Sequence, residues 1–255
     1  MRKGNLLLSI TLLLSLVLST QVSADLKWEM GVKGGANWAK LTGDAVSLWL
    51  SGDDGELAGS IGDSKLGFTG GIFATAFFTE FFGIQVEALY TQKGGEGIAS
   101  GTMLYQEPGQ NPDYVTFDGT IYAYFDYIEF PVLAVFNFDA TDDSNVRLRG
   151  FLGPVFSNNI NAEVRLKGTV TTEISDTTYE TQSIDEKQEI GTYVKDFEFG
   201  MMIGGAAYWD IGNVDLVFEG RWEVGLTTLD NTTNATDVNT SNVSVLFGVV
   251  YPFGE

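Results

Sequence analysis

The stretch that decides the fold runs from Val214 to Leu226 and reads V-D-L-V-F-E-G-R-W-E-V-G-L. Successive residues of a β-strand point to opposite faces, so every second residue of this stretch shares a face. One face is apolar and presents Val214, Leu216, Phe218, Trp222, Val224 and Leu226. The other face carries four charges, at Asp215, Glu219, Arg221 and Glu223. In a soluble barrel the apolar face points inward, whereas in a membrane barrel it points outward into lipid.

The same alternation recurs along the chain and predicts eight strands. These are Leu26–Ala39, Leu66–Phe78, Phe82–Lys93, Tyr124–Phe138, Val146–Phe156, Asp196–Trp209, Val214–Leu226 and Asn242–Phe253. Four long, acidic links lie at one end of the strands, namely Lys40–Lys65, Gly94–Ala123, Ser157–Lys195 and Thr227–Ser241, and short links lie at the other. Within the third long link, Ala162–Ile174 alternates well enough to continue as strands beyond a membrane.

An even number of strands, with short turns at one end and long loops at the other, is typical of outer-membrane barrels. We therefore predict an all-β fold. Its form is an eight-stranded antiparallel up-and-down transmembrane β-barrel with short periplasmic turns and long extracellular loops. Pro131 lacks a backbone N–H and interrupts the fourth strand, so we expect a bulge or kink there.

Aromatic residues cluster at both ends of the apolar face. Those at the short-turn end are Trp28, Phe78, Phe82, Phe136, Phe138, Trp209 and Phe253. Those at the long-loop end are Trp38, Tyr90, Phe156 and Phe197. Lipid-facing barrels carry aromatic girdles of this kind at both interfaces, which favours the membrane barrel. A soluble lipocalin-type barrel, with the apolar face inside, is the alternative.

Residues 1–24 have the pattern of a secretory signal peptide. Arg2 and Lys3 precede a short leucine-rich run at 6–18, and small residues end the segment. The run is too short for a transmembrane helix, which needs about 20 apolar residues. We therefore expect residues 1–24 to be removed and residues 25–255 to form the barrel domain, located in the bacterial outer membrane.

Composition excludes several classes of function. The formal net charge is −20, so nucleic-acid binding is disfavoured because no basic patch is available for phosphates. The chain has neither histidine nor cysteine, which removes histidine-dependent catalysis, thiolate metal sites and disulfides. We expect no enzymatic activity, no catalytic residue and no cofactor. The acidic loop with Asp44, Asp53, Asp54, Glu56 and Asp63 offers oxygen ligands for Ca²⁺ but lacks EF-hand spacing, so a solvated loop is favoured.

If the apolar face points outward, a nearly balanced set of charges points into the lumen. We predict a polar network there, formed by Glu29, Lys33, Glu87, Glu129, Arg147, Arg149, Glu219, Arg221 and Glu223. The alternation also puts Lys27, Lys93, Glu198 and Asp215 on this face. We expect Arg147, Arg149 and Arg221 to face Glu87, Glu129 and Glu219. Unpaired buried charge is costly, so structural filling is the favoured interpretation, with an ion pathway or binding cup as the alternative.

Several motifs, in order along the chain, resemble a known family. They are Val32-Lys33-Gly34-Gly35-Ala36-Asn37-Trp38, Gly67-Phe68-Thr69-Gly70-Gly71, the segment Val86 to Gly94, Asp126-Tyr127-Ile128-Glu129-Phe130-Pro131 and Phe247-Gly248-Val249-Val250-Tyr251. Together they resemble the outer-membrane β-barrel family that includes the PorT-like proteins of Bacteroidetes. The resemblance implies a barrel of OmpX-like or OmpA-like size. The chain departs from the usual terminal aromatic residue, because Gly254 and Glu255 follow Phe253.

These observations predict a small outer-membrane barrel with a structural or surface-interaction role through its acidic extracellular loops. The expected partners are outer-membrane lipid and, during biogenesis, the barrel-assembly machinery, and the chain is expected to be a monomer. The sequence does not identify an extracellular partner. A narrow ion or small-solute pore and a soluble periplasmic ligand-binding barrel are the alternatives.

Overall fold

The structure, a computed structural model, describes residues 26–43, 55–105, 113–139, 145–175, 178–232 and 237–253. The predicted signal peptide lies outside these residues, as do Asp44, Asp53 and Asp54 of the acidic loop. The strands are β1 (Lys27–Thr42), β2 (Gly55–Gly59), β3 (Lys65–Phe77), β4 (Phe82–Tyr105), β5 (Asp113–Asp139), β6 (Val146–Ser175), β7 (Thr178–Glu189), β8 (Phe197–Asp210), β9 (Asp215–Gly225) and β10 (Asn239–Phe253). A short 3₁₀ helix, Gly191–Tyr193, precedes β8.

Eight of these strands form a ring of antiparallel pairs. The hydrogen-bonded order is β4-β3-β1-β10-β9-β8-β6-β5, and pairing between β5 and β4 joins the two ends. The predicted fold class, an eight-stranded antiparallel transmembrane barrel, is therefore confirmed. Within the described residues, no helix is both long and apolar enough to cross a membrane.

The strands at the long-loop end are longer than the sequence alone suggests. The predicted loop 94–123 is mostly strand, because the β4–β5 ladder continues as far as Tyr105 and Asp113. β6 extends to Ser175 and pairs with β7, as the alternation at 162–174 predicts. β2 is an additional strand that pairs with β4 within the first long link. The sequence did not predict the extensions of β4 and β5, because they contain glycine and polar residues. Such residues form a strand only when they pair with a neighbouring strand.

The apolar face of the barrel points outward. On β9, Phe218 and Trp222 are 50% and 51% exposed, whereas Glu219 and Arg221 between them are 1% and 4% exposed. The predicted belt residues Trp28, Phe138 and Trp209 are also exposed on the outer surface. A soluble barrel would have the opposite arrangement, so the lipocalin-type alternative is wrong.

A β-bulge in β6 separates the barrel from the structure beyond it. Asp126 of β5 pairs with Asn161 and Tyr127 pairs with Asn159, so Ile160 is the extra residue. The bulge expected at Pro131 is wrong, because Pro131 pairs with Val155 and the register does not shift there. On the side of β4 the ladder skips Phe130 and Pro131 and resumes in the same register, because a proline lacks the N–H that the ladder needs.

The bulge reverses the faces of β6, because one extra residue shifts an alternation of period two. Before it, even-numbered residues such as Leu152 and Phe156 are exposed to lipid. After it, even-numbered residues point inward, and Ala162 is buried with Val164 and Leu166 packed beside it. The chain beyond the bulge therefore has the apolar-inside pattern of a soluble protein.

We call this region the head, comprising β2, β7 and residues 95–105, 113–125 and 161–175. Its core includes residues from all four long links and lies at the long-loop end of the barrel. The buried core residues are Leu41, Ile61, Ala99, Phe117, Ile121, Ala123, Phe125, Tyr127, Ala162, Ile190, Val194, Leu229 and Val238. β4 requires a glycine at Gly94, where φ is 138° and a Cβ would lie 1.9 Å from the carbonyl oxygen of Ala123.

Candidate functional site

The inward-facing charges form three clusters, which follow one another from the short-turn end towards the head. The lower cluster is Glu29, Arg147, Arg149 and Asp215. The middle cluster is Lys33, Glu87, Glu219 and Arg221. The upper cluster is Lys93, Glu129, Glu198 and Glu223. Every second residue of each strand reaches the lumen, which is why strands that are distant in sequence supply each cluster.

The lower cluster lies at the mouth of the barrel, where the Arg147 side chain is 36% exposed. Arg149 donates two hydrogen bonds to Glu29, from Nη1 to Oε2 at 2.6 Å and from Nη2 to Oε1 at 2.7 Å. Its guanidinium carbon lies 3.7 Å from the ring centroid of Tyr208. Arg147 pairs with both Glu29 and Asp215. The bidentate geometry fixes Arg149 across the lumen from β6 to β1.

The middle cluster is buried and balanced in charge. Lys33 Nζ donates to Glu87 Oε1 at 2.8 Å and to Glu219 Oε2 at 2.9 Å. Arg221 Nη1 donates to Glu87 Oε2 at 2.9 Å, and Arg221 also pairs with Glu219. All four side chains are at most 2% exposed. Two bases and two acids therefore satisfy one another away from water.

The upper cluster gathers three carboxylates around one ammonium. Lys93 Nζ lies 2.7 Å from Glu129 Oε1, 2.5 Å from Glu223 Oε1 and 3.6 Å from Glu198 Oε2. It also lies 4.9 Å from the centroid of the Tyr127 ring, which belongs to the head core. The upper cluster is thus in contact with the core of the head.

Each residue of the predicted polar network belongs to one of the three clusters. Some of the ion-pair partners differ from the predicted ones. Arg221 faces Glu87 and Glu219, as expected. Arg147 and Arg149 instead bind Glu29, and Glu129 binds Lys93. Partners across the lumen depend on strand register and barrel closure, which alternation alone does not give. Lys27, which the alternation also assigned to the lumen, is exposed at the start of β1.

Apolar side chains fill the lumen between the charged clusters. They include Phe73, Phe77, Leu133, Phe151, Met202 and Val217. Arg221 and Lys33 lie over two of these rings, those of Phe151 and Phe73, at 5.6 and 4.7 Å from the centroids. An eight-stranded barrel has room for side chains and little else, and here those side chains contact one another across the lumen.

Ion pairs on the head are exposed, unlike those of the middle and upper clusters. Arg165 binds Asp185 through two hydrogen bonds of 2.6 and 2.5 Å, and Lys187 Nζ lies 2.8 Å from Glu163 Oε1. The hydrogen bonds from Arg165 hold the pKa of the Asp185 carboxyl below its usual value. The β6–β7 pairing therefore gains from this carboxylate above its unfolded pKa and loses that gain as the pH falls through the lowered pKa.

Across the described residues, no group of three or more acidic side chains is arranged to hold a metal ion. In the acidic loop, Asp63 forms an isolated β-bridge with Glu96.

Comparisons with solved structures find small outer-membrane proteins of low sequence identity. The attachment invasion locus protein Ail of Yersinia pestis is 15% identical, with 88% of this chain and 98% of that chain covered and a TM-score of 0.36. Neisserial surface protein A is 16% identical, with 88% and 97% covered and a TM-score of 0.38. OprG from Pseudomonas aeruginosa is 10% identical, with 89% and 96% covered and a TM-score of 0.38. A search of curated proteins by sequence finds no match.

A protein family matches most of the chain. Its description is "Outer membrane protein beta-barrel domain", and the matched segment is residues 19–231. That segment includes β1 to β9 and all residues of the three charged clusters, whereas β10 lies outside it. The chain therefore belongs to the outer membrane protein beta-barrel domain family and resides in the bacterial outer membrane.

Proposed function

We propose that this protein is a non-enzymatic outer-membrane anchor whose extracellular head binds a cationic partner surface. The observation that carries the proposal is the head itself, since it has its own apolar core beyond the lipid-facing part of the barrel. A barrel that only spanned the membrane would not need strands such as β6 and β7 to continue past it. Loops and extensions held by a rigid scaffold are the usual location of binding sites.

The charge of the long links supports a cationic partner. They contain eighteen acidic and six basic residues. Among the basic residues, Arg165, Lys167 and Lys187 are in ion pairs, and Lys65 is buried beside the ring of Tyr124. Glu180, Glu186 and Glu189 of β7 are exposed. The head therefore presents a negative surface, which attracts positively charged partners and speeds their association.

The filled lumen gives less support to the alternative of a narrow pore. Ion pairs and rings cross the lumen at three levels, and the head core lies above them.

The PorT-like resemblance of the sequence motifs remains a hypothesis about the subfamily. The secretion role implied by that name is not part of the proposal.

The orientation of the head can be tested by cysteine labelling, because the native chain has no cysteine. We expect Ser183→Cys, on exposed β7, to react with a membrane-impermeant maleimide on intact cells. The matched variant Asn213→Cys, in the short turn before β9, should react only after the outer membrane is permeabilised. Labelling of Asn213→Cys but not of Ser183→Cys on intact cells would show that the head faces the periplasm.

Binding can be tested with protein reconstituted in lipid vesicles and a fluorescent oligolysine peptide as the probe. The triple variant Glu180→Gln, Glu186→Gln, Glu189→Gln should weaken binding roughly tenfold, because it removes three exposed negative charges from one strand. The matched variant Glu80→Gln, Asp142→Asn, Asp143→Asn makes the same change in net charge in the short links and should bind like the wild type. Equal losses for the two variants would indicate attraction to the net charge alone and would contradict a binding role for the head.

A further inference from the structure

The three lumen clusters differ in their balance of charge. The lower and middle clusters each combine two bases with two acids. The upper cluster combines only Lys93 with Glu129, Glu198 and Glu223, so with all groups ionised it has two excess negative charges. The four side chains are at most 3% exposed. Two uncompensated charges at such a site would be very costly.

Unpartnered oxygen atoms lie in the same place. Within the described part of the chain, Glu223 Oε2 and Asn242 Oδ1 are buried and have no hydrogen-bond partner, and Glu198 Oε2 has no hydrogen bond beside its 3.6 Å ion-pair contact with Lys93. Glu223 and Asn242 are directly opposite each other on β9 and β10, and both side chains point into the lumen. Two acceptor oxygens that face each other can form a hydrogen bond only if one of them gains a hydrogen. A proton on a carboxyl oxygen supplies that donor.

Glu129 differs from the other two carboxylates because both of its oxygens have donors. Oε2 accepts a hydrogen bond of 2.7 Å from Thr91, and Oε1 accepts from Ser157 at 3.3 Å and lies 2.7 Å from Lys93. On Glu198, Thr240 donates to Oε1 only.

We propose that the upper cluster is a buried proton-binding site, whose three carboxylates together hold two protons at neutral pH. With these two protons and the Lys93 ammonium, the whole cluster has no net charge. A proton suits this site better than a metal ion, because the Lys93 ammonium already lies among the carboxylates.

Within the residues that the structure describes, the groups around the site come from six strands and supply no further positive charge. β4 contributes Lys93 and Thr91, β5 contributes Glu129 and Tyr127, and β6 contributes Ser157. β8 contributes Glu198, β9 contributes Glu223, and β10 contributes Thr240 and Asn242. The nearest base on β9 is Arg221, which is already paired with Glu87 and Glu219 of the middle cluster.

The site makes the stability of the barrel sensitive to pH. Glutamates of the unfolded chain release their protons above about pH 4.3, whereas the folded protein retains two at the upper cluster. Because the folded state binds more protons, stability must decrease as the pH rises above that value. For each retained proton, the unfolding equilibrium constant should increase roughly tenfold per pH unit.

The first test is infrared spectroscopy of the whole protein reconstituted in lipid. At pH 7 the wild type should show the C=O stretching band of a carboxylic acid, since exposed carboxyls are ionised and do not contribute. Glu198→Gln and Glu223→Gln should each reduce the band, whereas Glu87→Gln, in the balanced middle cluster, should not. A wild-type spectrum with no such band would overturn the proposal, and so would a band that emerges only after metal ions are chelated.

The second test is reversible unfolding in urea between pH 6 and pH 9. The double variant Glu198→Gln, Glu223→Gln should be at least as stable as the wild type at pH 8 and should lose most of the dependence on pH. Glu87→Gln should be less stable than the wild type at every pH, because it leaves Lys33 and Arg221 with one acid between them. A double variant with the same pH dependence of stability as the wild type would contradict proton binding at the upper cluster. If a variant does not fold, the presence or absence of the infrared band in the wild type still tests the proposal.

Discussion

Replacement of Phe218 by arginine is expected to prevent stable assembly of the barrel in the outer membrane. Phe218 is half exposed on the outer face and pairs with Ala207 and Phe247, midway between the two aromatic belts. A lipid-facing arginine at mid-bilayer costs about 2–4 kcal/mol. That is a large part of the stability of a typical folded domain, which is about 5–15 kcal/mol. The measurement is outer-membrane fractionation together with heat-modifiable migration on gels, and both should be strongly reduced.

Leu226→Arg provides the matched control for this prediction. Leu226 is on the same face, just past the end of β9, and is 56% exposed. The cost of an arginine decreases to about 0–1 kcal/mol near the interface, so this variant should assemble almost normally. Equal behaviour of the two variants would mean that Phe218 is not at the depth inferred here. Normal assembly of Phe218→Arg would contradict a lipid-facing position altogether.

The fold was predictable where burial imposes a strict alternation. On β9, for instance, the charges and the apolar residues separate without exception, and the direction of the apolar face followed from the link lengths and the aromatic belts. The head was harder to predict. Its existence depends on Ile160, one extra residue that reverses the faces of β6. A bulge depends on pairing with the neighbouring strand, so the residues of β6 alone give no clear signal of it.

The site was predictable as a set of residues but not as a set of pairs. Alternation places Glu29 and Arg149 in the lumen, yet they are 120 residues apart and on strands that are not neighbours in the ring. Their contact depends on the register of every strand between them. The same limit applies to Lys93, whose three carboxylate neighbours come from β5, β8 and β9.

Replacement of Arg221 by methionine is expected to destabilise the barrel by about 3–5 kcal/mol, the usual cost of removing one partner from a buried ionic network. Arg221 is 4% exposed and binds both Glu87 and Glu219. Methionine replaces the aliphatic stem of arginine and has no charge, so the two carboxylates would share Lys33 alone. The measurement is the urea midpoint of unfolding of protein reconstituted in lipid, compared with that of the wild type.

Two further variants separate the loss of charge balance from the loss of packing. Adding Glu219→Gln to Arg221→Met leaves Lys33 and Glu87 as a balanced pair, so the double variant should be more stable than Arg221→Met alone. Arg165→Met removes an arginine from an exposed bidentate pair on the head and should change the midpoint little, because water and salt screen such pairs. If Arg165→Met lowers the urea midpoint as much as Arg221→Met does, burial would not explain the large effect expected at Arg221. If the double variant is no more stable than Arg221→Met, the lumen network would owe its stability to the shape of its side chains, and its charges would be secondary.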